Sequence, residues 1–179
     1  MSGRVEGKIA LITGGAQGLG AATARMFAQQ GARVAITDIN GDGARSIASE
    51  LNAQHPGCAI AIAHDVTDEE QWRRAVGETE SAFGGLHVLV NNAGISLVRS
   101  VEDLSLEDWR RVHAIDLDGV FLGCKTAIAP MAKTVEATGL AGTIVNISSI
   151  AGIIAGHNMA AYNSANAAVG HLSKSVALH

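Results

Sequence analysis

The stretch LITGGAQGLG (11–20) sets glycines at spacings suited to holding a phosphate. Gly14 lets the chain leave a strand in a tight turn. Gly18 lets backbone approach a pyrophosphate, and Gly20 lets the following helix pack closely on the sheet. The unpaired N–H groups of that helix's first turn then face the anion. Glycine turns are common, so the loop alone is a weak signal. Asp38 strengthens it, because it lies 18 residues after Gly20 at the end of the next apolar run. A carboxylate there accepts both ribose hydroxyls of NAD and repels the extra phosphate of NADP. The segment DIN (38–40) carries no Arg or Lys for a 2′-phosphate, which favours NAD. The competing role for Asp38 is to cap the helix that begins near Gly41. Asp65, in HDVTDEE (64–70), suits the adenine amino group, with Val66 against the ring. Alternatively Asp65 or Thr67 caps the next helix, with Thr67 and Glu70 as a capping box.

These residues need a frame, and the apolar pattern supplies one. KIALIT (8–13), RVAIT (33–37), AIAIA (59–63), HVLVN (87–91) and TIVNIS (143–148) read as strands buried on both faces. Helical stretches fall at about 18–30, 41–54, 68–83 and 104–133, with a last one from about 159. Strands alternating with helices imply βαβ units, hence an α/β fold with a parallel, doubly wound sheet and helices on both faces. The glycine loop, Asp38, Asp65 and Asn91–Gly94 then share the carboxyl edge of the sheet, where such folds bind ligands. No repeat or linker marks a second domain, so residues 1–179 read as one nucleotide-binding domain. The last helix runs to the end of the sequence without a cap, so the reading is of a fold whose C-terminal part lies outside this chain.

Composition narrows the function classes. A net charge of −4 and a pI near 5.9 offer no basic patch for nucleic acid or an anionic membrane. No apolar run reaches the ~18 residues that span a bilayer. The N-terminus lacks the apolar stretch of a signal peptide, and Cys58 and Cys124 are isolated thiols, which together suggest a cytoplasmic protein. The seven histidines show no metal-ligand spacing, so no metal site is expected.

Together the motifs resemble the short-chain dehydrogenase/reductase family, in its compact single-domain branch. Thr13-Gly14-x-x-x-Gly18-x-Gly20 matches that branch, whereas Gln17 stands where the extended branch needs glycine. NNAG (91–94) matches its sheet-stabilising, cofactor-lining motif, and NISS (146–149) with Tyr162, 13 residues past Ser149, matches its Ser–Tyr pair. The resemblance implies a Rossmann-type sheet and hydride transfer between a secondary alcohol or ketone and nicotinamide. It also implies a cofactor surface of Gly14, Gln17, Gly18, Leu19, Gly20, Asp38, Ile39, Asp65, Val66, Asn92, Ala93 and Gly94, joined by Tyr162 and the residue four beyond it. In the family, tyrosine moves the hydroxyl proton and serine holds the substrate oxygen. A lysine binds ribose and lowers the tyrosine pKa, and a kink at an asparagine completes the relay. Ser149 fits the serine by its spacing better than Ser148.

Two positions depart from this pattern. The family's Y-x-x-x-K reads Tyr162-Asn163-Ser164-Ala165-Asn166, and its N-L-x-G-x-F reads Asp116-Leu117-Asp118-Gly119-Val120-Phe121. Asn166 shares a helix face with Tyr162 and keeps hydrogen-bonding capacity toward ribose, but it carries no charge. A cation about 5 Å from the phenol is worth roughly 3 kcal/mol at an effective dielectric near 20, or about two pKa units. An ionised Asp116 pushes the phenol in the same unhelpful direction. Lys125 and Lys174 are too far along their helices to substitute and read as surface charges. Three outcomes stay open: an impaired dehydrogenase, an active enzyme whose relay uses Asp116 or water, and a non-catalytic NAD-binding protein.

Leu97, Val98, Ile153, Ile154 and Met159 make the expected substrate mouth apolar, with His157 its one titratable side chain. That suits a secondary alcohol, cyclic ketone or hydroxysteroid. Small residues on the last two helices permit close approach, and the resemblance implies a homodimer or homotetramer.

Overall fold

The computed structural model describes residues 3–178. Five parallel strands, β1 (Ile9–Thr13), β2 (Arg33–Asp38), β3 (Ala59–Ala63), β4 (Val88–Asn91) and β5 (Thr143–Asn146), lie in the order β3-β2-β1-β4-β5. The helices are α1 (Gly18–Gln29), α2 (Gly41–Gln54), α3 (Glu69–Phe83), α4 (Leu106–His113), α5 (Gly119–Thr138) and α6 (Ala160–Ala177). The chain winds outward from β1 to β3, then returns to the other side of β1 through β4. A crevice therefore opens between the carboxyl ends of β1 and β4.

Alternation along the strands fills two layers. Ala10, Ile12, Val34 and Ile36 pack against alanines of α1 and against Ile47 and Leu51 of α2. Leu11, Ala35, Ile62 and Leu89 face Trp72 and Val76 of α3 and Met131 of α5. With so few aromatics, small side chains bring helix close to sheet, as at Gly123, where a Cβ would lie 2.4 Å from Asn91 Oδ1.

The expectations for two elements are corrected. The helix expected over 104–133 starts later, at Leu106, capped by Ser105, whose hydroxyl accepts from Asp108 N. It is interrupted by a π-helical turn over Ala114–Asp118, and it ends where Gly139 turns left-handed at φ 72. β5 stops at Asn146, and its side chains are exposed or half-buried, because as the edge strand it has no neighbour beyond it among the described residues. No helix of the described residues is long and apolar enough to cross a membrane.

Trp72 is wholly buried, and its Nε1–H donates to the Val66 carbonyl at 2.9 Å. Replacing it by alanine removes both the filling of the α3 layer and the tether on Val66. Trp72→Ala should destabilise the fold by about 4 kcal/mol in urea unfolding, with Trp72→Phe costing clearly less.

Candidate active site

The crevice is held by one threonine and one asparagine. Thr13 Oγ1, at the end of β1, accepts from the backbone N–H of Asn92 and Ala93, each at 3.0 Å. Asn92 Nδ2 returns bonds to the carbonyls of Thr13 (2.8 Å) and Gly14 (3.2 Å). The glycine loop is thereby clamped to the segment after β4. Gly14 adopts φ +63, and a Cβ on Gly20 would lie 2.2 Å from the Gly14 carbonyl, so both positions demand glycine.

Two cavities meet along this clamp. The first, about 430 Å³, is bounded by Gly14, Gln17, Gly18, Asp38, Ile39, His64, Asp65, Val66 and Ile115. The second, about 500 Å³, is bounded by Asp116, Ser148, Ser149, Ile150, Tyr162 and Asn166. Leu19, Asn92, Ala93, Gly94 and Ile95 line both, so they form one elongated trough. Gly18 faces open space at φ +54, where any Cβ would intrude on the trough. An elongated trough with a glycine floor and a carboxylate at one end fits a dinucleotide, and every expected binding residue except Gly20 borders it. Gly20 instead packs beneath the loop.

Asp38 does not cap α2. Its Oδ2 accepts from Ala16 N (3.0 Å) and its Oδ1 from Asn40 N (2.9 Å), which braces the glycine loop from β2. The cap is Asn40, adjacent to the helix, whose Oδ1 accepts from Gly43 N. Arg45, in the first turns of α2, pairs with Asp42. The cap of α3 is likewise neither Asp65 nor Thr67. The helix starts at Glu69, so Asp68 is the residue next to it, and its side chain accepts from Glu70 N and Gln71 N. Asp65 Oδ1 is held by Thr67 N and Oγ1, which leaves Oδ2 for the trough.

The serines divide the work at the other end. Ser148 Oγ donates to the Asn166 carbonyl at 2.9 Å, and a Cβ on Gly152 would meet the same helix backbone at 2.8 Å, so the loop after β5 is stitched to α6. Ser149 Oγ accepts from Ala151 N at 3.1 Å and borders the second cavity with Tyr162. Asn166 is 6% exposed and turns its amide back on its own helix, with Nδ2 donating to the Tyr162 carbonyl at 3.0 Å. Its side-chain Oδ1 remains as an acceptor. Lys125 pairs with Glu69 at 2.8 Å, and Lys174 is exposed, so neither reaches the cavity.

Asp116 sits in the π-helical turn at 7% exposure, with Oδ1 accepting from Ile95 N at 2.9 Å. Burial pushes its pKa up to about 6. The Ile95 N–H and His113, one turn earlier, pull in the opposite direction. His113 uses its own ring on the Trp109 carbonyl and the Ser164 hydroxyl.

His64 escapes sequence reading, since nothing distinguishes a histidine at a strand end. It borders the trough but is 2% exposed, hydrogen-bonded to Thr37 Oγ1 at 3.0 Å and edge-on to Trp72, with Nε2 buried and unpartnered. Burial lowers its pKa to about 4. At the mouth, Val98, Ile150, Ile153 and Ile154 are exposed, while Leu97 turns inward onto Val112 and Ala161. A single parallel bridge joins the two walls, Arg99 to Met159, with Arg99 N donating to Asn158 O at 2.7 Å.

A family model described as short chain dehydrogenase matches residues 8–179. The chain is 45% identical to the trans-4-hydroxycyclohexanecarboxylate dehydrogenase of Sinomonas cyclohexanicum, over 99% of this chain and 68% of that protein. It is 42% identical to the 3-alpha-(or 20-beta)-hydroxysteroid dehydrogenase of Mycobacterium tuberculosis, over 99% of this chain and 65% of that protein. A NADP-dependent (R)-specific alcohol dehydrogenase of Lentilactobacillus kefiri is 39% identical, over 99% and 68%. The chain thus spans about two thirds of the length of these relatives.

The buried carboxylate has a measurable cost. Because the folded state holds Asp116 above its ordinary 3.8, ionisation disfavours folding. The penalty is fully present above pH about 6 and absent below the ordinary value. Asp116→Asn keeps the acceptor for Ile95 N and should stabilise the protein by roughly 2 to 3 kcal/mol at neutral pH. Denaturant curves of the two proteins should converge as pH falls below 3.8.

Proposed function

The chain belongs to the short chain dehydrogenase family, and from that premise we propose that it forms the nucleotide-binding and proton-transfer part of an NAD-dependent oxidoreductase. Its substrate is an apolar, cyclic or steroid-like secondary alcohol or the matching ketone. The observation that carries this reading is the single trough that brings the glycine loop and Asp38 together with Ser149 and Tyr162.

Bound NAD would accept or return the hydride. Asp38 would receive the adenosine ribose hydroxyls on the lone pairs left free by Ala16 and Asn40, and Asp65 Oδ2 the adenine amino group. Asn92, Ala93 and Gly94 would line the middle of the dinucleotide. Ser149 positions the substrate oxygen, and Tyr162 exchanges the hydroxyl proton. The exposed isoleucines at the mouth suit an apolar ring. The relatives named for hydroxysteroids and hydroxycyclohexanecarboxylate support that class. The relative from Lentilactobacillus kefiri is named NADP-dependent, so the preference for NAD rests on Asp38 and on Arg45 being paired with Asp42. The exposed faces of α5 and α6 suit a homodimer or homotetramer, as the resemblance implied.

Asn166 leaves Tyr162 without the neighbouring cation that the family's lysine supplies to the proton-transfer step. The alcohol reaction is therefore slow. The same observation favours a second reading, in which the protein binds NAD without turnover and acts by interaction or sensing. NAD binding with no turnover of any secondary alcohol would select it.

Two measurements test the proposal in a chain of full length. Asn166→Lys should raise NAD-dependent alcohol oxidation roughly hundredfold and move the basic limb of the pH–rate profile toward neutrality. An unchanged profile in a protein that already turns over well would sink this account of Tyr162. Asp38→Ser should shift the NAD-over-NADP preference by at least roughly tenfold toward NADP, read as a ratio of dissociation constants.

A further inference from the structure

Two of the side chains bordering the second cavity are acids or bases, Tyr162 and Asp116; the others are apolar, amide or alcohol groups. Asp116 is 7% exposed, and its Oδ1 accepts from Ile95 N. Its Oδ2 has no partner among the described residues, yet it is not sealed off from the cavity. The other titratable groups near it are engaged elsewhere. His113, one turn earlier on α4, is directed at the Trp109 carbonyl and Ser164, and Asp118 in the same π-helical turn is exposed. From α6 the cavity receives Tyr162 and the neutral Asn166.

This carboxylate weakens the fold, since burial pushes its pKa up to about 6 and ionisation disfavours the folded state. Groups that work against folding in this way concentrate where chemistry uses them. The chemistry of this cavity has one open place. An alcohol that loses hydride also loses its hydroxyl proton, and some group must hold that proton when the step is over. A neutral phenol has no room for a second proton and can only pass one on. Asn166 brings no charge that would hold the phenol ionised in advance.

We propose that Asp116 is the proton acceptor behind Tyr162, taking up the proton that the phenol passes on when an alcohol is oxidised. The inference rests on reading the trough as an alcohol-oxidising site, and it adds the residue on which the released proton comes to rest. As the C–H bond breaks, its electron pair leaves as hydride for the nicotinamide, and the O–H pair becomes the second bond of the carbonyl. The hydroxyl proton moves to the Tyr162 oxygen. The phenol's own proton moves to Asp116 Oδ2 through water, for which a polar cavity of about 500 Å³ has room. The products are the ketone, the reduced dinucleotide and a neutral Asp116, with Tyr162 a phenol before and after. An acid with a pKa of about 6 then releases its proton to solvent at neutral pH, which resets the site. Ketone reduction follows the same path backwards, starting from protonated Asp116.

The test follows cyclohexanol oxidation and cyclohexanone reduction by the full-length protein in buffers on either side of pH 6, with NADH binding read by fluorescence. Only ionised Asp116 accepts a proton, so oxidation should rise with pH through about 6 while reduction falls over the same range. Asp116→Asn should lower oxidation above that range by about tenfold or more and erase the limb. This variant is expected to be more stable than the parent, so a lost rate is not a lost fold. Asp116→Glu, which keeps a carboxylate, should restore the limb in part. In the Asn166→Lys protein the loss caused by Asp116→Asn should be at least roughly fivefold smaller, because the lysine opens a second route. An oxidation rate and a limb that survive Asp116→Asn overturn the proposal. A parent protein that is inert while Asn166→Lys turns over also overturns it, and leaves the alcohol reading standing. NADH binding with no turnover by either protein refutes the alcohol reading and the proposal together.

Discussion

Four hydrogen bonds between the end of β1 and the segment after β4 determine the rest of the site. A doubly wound sheet opens a crevice where its two halves diverge, but the topology does not fix how wide that crevice is. Here Thr13 and Asn92 fix it by exchanging bonds across the opening. The clamp brings the glycine loop against Ala93 closely enough that Gly14 has no room for a side chain. Asp38 braces the same loop from the other side through Ala16 N. The trough is therefore a consequence of backbone groups being satisfied by three polar side chains, and those side chains cannot be exchanged without releasing the loop.

The far end of the trough follows a different logic, that of charge in a poorly solvated place. The π-helical turn sets Asp116 at a point where water has little access and supplies one N–H in compensation. Its high pKa follows from that burial, which the Ile95 N–H and the neighbouring His113 offset only in part. A lysine at 166 would have lain on the same helix face as Tyr162 and balanced this carboxylate. Asn166 satisfies its own amide internally instead, by bonding to the Tyr162 carbonyl. The position one turn after Tyr162 thus keeps its place in the site but carries no charge.

Much of this was legible in the sequence because it is written in local chemistry. The glycine spacing, the apolar runs and the carboxylate after β2 each depend on a few adjacent residues, and the five strands appear where those runs lie, with β5 shorter than its run. What was not legible depends on a second element. Whether Asp65, Thr67 or Asp68 caps α3 turns on a one-residue choice of helix start, and all three side chains are chemically able. The π-helical turn has no composition of its own, and only packing against Ile95 and α6 reveals it. His64 becomes notable once Thr37 and Trp72 enclose it. The exposure of β5 is a matter of position in the sheet, and TIVN reads the same at an edge as in the centre.

The two walls of the mouth meet at a single backbone rung, Arg99 to Asn158. Spreading them breaks that rung and the packing of Leu97 on Ala161, whereas widening the trough at its floor disrupts the strand ladder itself. The binding site is thus compliant in one direction and stiff in the other. Adjustment to a wider ligand therefore falls to the rim, whose walls share the fewest backbone ties, and not to the floor, where five strands are laddered together.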